Sequence, residues 1–159
     1  MDYDAARGGK KAVRDAKSKR EGRTFIPVPW VAFDCPAFMA LSLPARCLLL
    51  ELARQYNLRN NGQFVTCDKR LRARGWKGPN VIARAKKQLI QYGFVIETRR
   101  GGYPNKASWY AVTWWDLDAH PEYHPDAVSS FRRSAFLTID LEKMSPISKE
   151  GRRGRSSDE

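Results

Sequence analysis

The most informative stretch of the chain is Gly78–Trp114, GPNVIARAKKQLIQYGFVIETRRGGYPNKASWYAVTW. Gly78 stands where a helix needs a cap, and Pro79 suits the first helical position, where its missing amide hydrogen would have no partner in any case. Laid on a wheel at about 100° per residue, Val81, Ile82, Ala85, Leu89 and Tyr92 share one arc, while Arg84, Lys87 and Gln91 fall within about 40° of Asn80 on the other side. A helix over Pro79–Tyr92 would therefore pack one face and present a long, polar, cationic one. Gly93 ends it. Phe94–Thr98 is rich in β-formers and pairs naturally with Ser108–Trp114, and the intervening RRGGYPNKAS is too long and too rich in Gly, Pro and bases for a tight turn. A protruding basic hairpin is predicted, its charges directed away from the core.

Working back towards the N-terminus, Ser42 can cap a helix with Pro44 in its first turn, and Ala45, Leu48, Leu49, Leu52, Ala53 and Tyr56 recur at helical spacing over about four turns. Asn60, Asn61 and Gly62 tolerate the positive φ at which a helix stops. After the apolar pair Phe64 and Val65, Thr66 can cap a second helix that runs through Leu71 to Arg74 and closes at Gly75. The order is helix, short strand, helix, turn, helix, strand, basic loop, strand. It predicts an α+β fold, a winged helix-turn-helix with a three-helix core and a β-hairpin wing, over residues 24–118. A flexible, disordered basic arm (1–23) precedes it. An extended segment (119–141) follows, where SFRRSAFLTIDL is apolar enough to form a packing strand or the contact of a homodimer, and a disordered polar tail (142–159) comes last.

Charge says what such a fold would meet. The 159 residues hold 29 Lys and Arg against 17 Asp and Glu, a formal charge of +12, which favours polyanionic partners. The excess is local: between 67 and 106 there are eleven bases and two acids, Asp68 and Glu97. The arm carries eight bases and four acids but almost no large apolar side chain, so it suits weak phosphate contact rather than specificity. A cationic helix face is ordinarily just wet; here three basic elements occur in the order that a DNA-binding winged helix requires. In that reading Asn80 can form two hydrogen bonds to adenine and Arg84 two to guanine. Lys77, Lys86 and Lys87 reach phosphate, and Gln91 extends the same face. Arg70 and Arg74, with Lys69 and Arg72, add field from the preceding helix. Arg99, Arg100 and Lys106 touch the adjacent backbone or minor groove.

With the helices placed, Phe25–Asp118 resembles a family of winged-helix proteins of bacteriophages, prophages and plasmids, often described as replication-associated helix-turn-helix proteins. The matching runs are FIPVPW, FMALS, LARQYNLRNNG, RGWKG, QLIQYGFVIETRRGG and NKASWYAVTWWDLD, spread over about 94 of the 159 residues. The resemblance implies a DNA-binding role in a mobile element; joined to the residue reading, it leads to the expectation of a sequence-specific double-stranded DNA-binding protein in replication control or transcription regulation, with a replication or transcription protein as a further partner. An alternative is an interaction adaptor that docks an acidic host or phage protein. RNA is a third and weaker option, because its narrow major groove would exclude the third helix.

Other classes lack their positioning elements. There is no G-x-x-x-x-G-K-[ST], H-E-x-x-H or G-x-S-x-G, so no catalysis and no cofactor is expected. His120 and His124 in AHPEYHPD, with Glu122 and Asp126, could collect a metal in principle, but the prolines make this an extended, solvated loop and no metal is expected. Trp109, Trp114 and Trp115 could stack on single-stranded bases, although strand alternation assigns at least one of Trp109 and Trp114 to the core, and Trp76 is expected to plug it too. Cys35, Cys47 and Cys67, an odd number without a C-x-x-C pair, are expected as small buried residues of a reducing compartment. The longest apolar run, Cys47–Leu50, cannot span a bilayer and the N-terminus has no secretory pattern, so a cytoplasmic location is expected, with no membrane partner.

Overall fold

The computed structural model describes residues 25–104 and 106–143. It is of the α+β class, helices packed with a small antiparallel sheet. Two short helices, α1 (Trp30–Phe33) and α2 (Pro36–Ala40), lead into α3 (Leu43–Ala53), α4 (Asp68–Ala73) and α5 (Pro79–Gln91). Strands β1 (Val95–Arg99) and β2 (Trp109–Val112) follow, then α6 (Pro125–Ser130) and 3-10 turns at Ala135–Leu137 and Leu141–Lys143. Among the described residues no helix is long and apolar enough to cross a membrane. The arm expected over 1–23 and the tail from 144 onward lie outside the described residues.

α3 starts as its sequence demands: the Ser42 side chain accepts from the Ala45 amide at 3.4 Å and Pro44 sits in the first turn. It stops at Ala53, earlier than the apolar spacing suggests. Asn60 Nδ2 takes the Gln55 carbonyl at 2.9 Å, and the Gln55 amide side chain bonds both backbone groups of Val65, at 3.0 Å each. The chain turns away, and Tyr56 leaves the helix to stack on Trp115 with centroids 4.0 Å apart. α4 also starts later than expected. Its cap is Cys67, with no side-chain bond, and not Thr66; Asp68 in the first turn supplies the favourable negative charge and pairs with Arg72 at 2.7 Å.

α5 matches the expected span to within one residue. Gly78 holds φ +84 at its cap, a conformation that side chains rarely adopt, which is why glycine stands where Ser or Thr is more usual. Ile82, Ala85 and Leu89 are buried, whereas Val81 and Tyr92 are only half-buried. The join to α3 has a polar clasp: the Ser42 amide and hydroxyl both donate to Gln88 Oε1, at 3.0 and 2.6 Å.

β1 and β2 pair antiparallel, Val95 opposite Val112, Ile96 opposite Ala111 and Glu97 opposite Tyr110; a bulge then brings Arg99 opposite Trp109. Phe64 and Tyr110 exchange backbone hydrogen bonds of 3.0 and 2.9 Å, so the short apolar pair before α4 adds an isolated bridge on the far side of β2. Asn61, fully buried, ties this region together. Its Nδ2 donates to the carbonyls of Val112 (3.0 Å) and Asp116 (2.9 Å), and its Oδ1 accepts from the Val112 amide (2.9 Å).

The segment 119–141 differs from its expectation. It forms α6 and a 3-10 turn, not a strand, and turns part of its apolar surface inward: Tyr123 and Ala127 are buried, and Phe136 stacks on Phe94 at 4.7 Å with its plane tilted by 2°, while Val128 and Leu137 stay about half exposed. Of the apolar residues that suggested a contact there, Phe136 is in the core and Leu137 is 51% exposed. Of the cysteines Cys35 is buried, but Cys47 and Cys67 are exposed, since Cys47 lies on the outer side of α3 and Cys67 at the mouth of α4. Trp76 is half-buried against the core.

Candidate nucleic-acid interface

α5 carries no acidic residue, and its outer face presents Asn80, Arg84 and Lys87 at i, i+4 and i+7, all exposed. They stand opposite Ile82, Ala85 and Leu89 because these three interlock with the apolar side of α3, burying Leu48, Leu49 and Leu52 as they do so. Lys77 is exposed in the turn before the helix. Gln91, expected on the same face, is half-buried at the far end.

The eleven cations between 67 and 106 separate cleanly by what they touch. Arg72 is paired with Asp68, Arg74 with Glu51 and Arg99 with Glu122, and Lys86 sits 5.2 Å over the Tyr110 ring. The remaining seven, Lys69, Arg70, Lys77, Arg84, Lys87, Arg100 and Lys106, are exposed and have no acid partner among the described residues. Neither acid of the segment opposes them: Asp68 is paired, and Glu97 is half-buried with the Tyr110 hydroxyl donating to it at 3.4 Å. Unpaired, hydrated cations of one sign are what a phosphate backbone can exchange for its counterions. Arg74 is less free than its sequence position suggested, because Glu51 on α3 holds its Nε.

Arg99 departs most from expectation. Its guanidinium does not project with the loop. It stands 3.3 Å from the Trp109 ring centroid, donates to Glu122 at 2.6 Å and to the Ala107 carbonyl at 2.9 Å, and leaves only 16% of the side chain exposed. The bulge between Glu97 and Arg99 is responsible, since one extra residue reverses the face on which the following side chain lies. Arg100, one residue on, is exposed, as is Lys106.

The tryptophans offered as stacking surfaces are occupied. Trp109 carries Arg99 and meets the His120 ring edge-on at 4.9 Å, Trp115 stacks on Tyr56, and Trp114 is 4% exposed. Tyr103 went unmarked in the sequence reading; at 99% exposure it is the most exposed large apolar or aromatic residue described. Its position in a turn between glycines and a proline was the available signal. His120 and His124 are at least partly exposed, and among the described residues no group of three or more His, Cys, Asp or Glu is placed to hold a metal. Compared with protein-family models, with curated proteins and with solved structures, the chain matches none significantly.

Proposed function

We propose that this protein is a winged helix-turn-helix that binds double-stranded DNA sequence-specifically, with α5 in the major groove and the β1–β2 hairpin as the wing. α3, α4 and α5 are then the three-helix core, and the isolated Phe64–Tyr110 bridge lies on the side of β2 away from β1. Asn80 and Arg84 read base edges near the start of the recognition helix; Lys77, Lys87 and Arg70 hold phosphates, and Arg100 and Lys106 hold the backbone beside the wing. The setting in a phage or plasmid, with a role in replication control or transcription regulation, rests on the family resemblance. The observation that carries the reading is the set of seven exposed cations without acid partners among the described residues, spread over α4, the turn, α5 and the hairpin. Fluorescence anisotropy on duplexes selected from a random pool tests it. Binding that weakens steeply with salt, and a preferred sequence that loses its advantage in Arg84→Ala, is the expected result. No binding to any duplex at low salt would end the proposal.

The adaptor reading draws on a different surface. Trp30, Met39 and Leu43 are 78%, 63% and 72% exposed on α1, α2 and the start of α3. Co-purification of an acidic protein together with absence of duplex binding would favour it.

A further inference from the structure

Nine residues, 100–108, join β1 to β2, and their tip is a narrow finger rather than a slack loop. Gly102 and Lys106 exchange backbone hydrogen bonds of 3.0 and 2.9 Å, which tie the two arms together just below Tyr103. One step lower the Gly101 amide donates to Ser108 Oγ at 2.9 Å. A Cβ on Gly101 would fall 2.6 Å from the Lys106 carbonyl oxygen and 2.9 Å from the Ser108 amide nitrogen, so the two arms lie as close as bare backbone permits. At the end stands Tyr103, 99% exposed and packed against nothing in the described chain. Arg100 and Lys106 flank it, exposed and without acid partners among the described residues.

An aromatic ring held in water on a braced finger contributes nothing to the core. Its flat apolar face is matched by the face of a nucleobase, and the two cations beside it are matched by the phosphates on either side of that base. We propose that Tyr103 is a base-stacking wedge: its ring enters the minor groove at the wing and stacks on a base at a step that opens readily, while Arg100 and Lys106 hold the neighbouring phosphates. The wedge rests on the DNA-binding reading above and adds to it a preference for deformable pyrimidine–purine steps, or for an unpaired base, beside the sequence read by α5.

The test compares wild type, Tyr103→Ala, Tyr103→Phe and Arg100→Ala on a short random-sequence duplex and on the same duplex carrying one unpaired adenine. The wild-type protein should prefer the second, where unstacking has already occurred. Tyr103→Ala should lose that preference and bind it about 5- to 150-fold more weakly, the range for loss of one aromatic–base stack. Its salt dependence should stay that of the wild type, since no charge is removed, whereas Arg100→Ala should flatten the slope of log K on log salt by about 0.9. Tyr103→Phe should keep the preference. Tyr103 packs against nothing among the described residues, so the alanine variant should also melt with the wild type. If Tyr103→Ala binds both duplexes within about twofold of wild type, the wedge is overturned and the DNA reading stands. If the wild type binds neither at low salt, the DNA reading falls and the wedge falls with it.

Discussion

The Arg99 guanidinium stands 3.3 Å from the centre of the Trp109 ring, on the strand opposite, while Glu122 and the Ala107 carbonyl take two of its donors. This one side chain joins both arms of the hairpin to the segment that follows β2. Arg99 and Arg100, adjacent in sequence and identical in charge, therefore do different things.

Arg99→Ala should lower folding stability by about 1–2 kcal/mol, from loss of a partly desolvated cation–π contact and its charged hydrogen bonds. Glu122 is half exposed, so Glu122→Gln should lower it by about 0.5 kcal/mol. Urea denaturation reads both. Arg100→Ala should leave the midpoint in place, and a midpoint equally lowered in Arg99→Ala and Arg100→Ala would contradict the brace.

Asn61→Ala should cost about 3 kcal/mol or more. It removes three hydrogen bonds of 2.9–3.0 Å and strands the Val112 amide in a dry interior. Asn61→Asp should do no better despite its equal size, because it turns a carboxylate oxygen towards the Val112 and Asp116 carbonyls. Chemical denaturation of the two variants decides this, and an aspartate variant as stable as wild type would show that the donor contributes little.

Arg84→Ala should reduce affinity for a selected sequence by about 1–3 kcal/mol while leaving random duplex little changed. Lys106→Ala and Arg100→Ala should weaken both alike and flatten the salt slope by about 0.9 each. Anisotropy titrations at several salt concentrations separate the two patterns. Equal losses of specific and random binding in Arg84→Ala would remove it from the base-reading set.

Alkaline pH should lower the stability of the domain through Tyr123. Burial, with Asp118 adding to it, raises this phenol above its usual 10.0 against the lowering effect of a hydrogen bond with Gln63. Above pH 10 the unfolded chain loses the proton more readily than the folded one, so the folded state binds more protons and stability falls as pH rises. Below pH 10 the phenol is protonated in both states and stability should be flat in this respect. Tyr56 is raised in the same direction, chiefly by burial. Tyr123→Phe should make the decline above pH 10 shallower, as measured by denaturation midpoints against pH. An unchanged profile would show that Tyr123 ionises in the fold as easily as in water.

Local pattern carried much of the architecture. Ser42 with Pro44 marks the start of α3 whatever surrounds it, and the wheel over Pro79–Gln91 separates Ile82, Ala85 and Leu89 from Asn80, Arg84 and Lys87 with no knowledge of neighbours. What depends on chain-distant partners was not legible. Tyr56 continues the apolar spacing of α3 yet leaves the helix for Trp115, and Phe136 looked like part of a docking strand until Phe94 covered it.

Spacing and composition along short lengths of chain sufficed for the order of elements from α3 to β2, the two faces of α5 and the concentration of positive charge between 67 and 106. Tertiary structure decided which cations stay free and which become braces. A bulge of one residue in β1 turned Arg99 onto Trp109, and the fold carried Glu51 to Arg74 and Glu122 to Arg99 across more than twenty residues of sequence. Whether a surface charge meets solvent or an acid is a property of the packed chain, and no local rule encodes it.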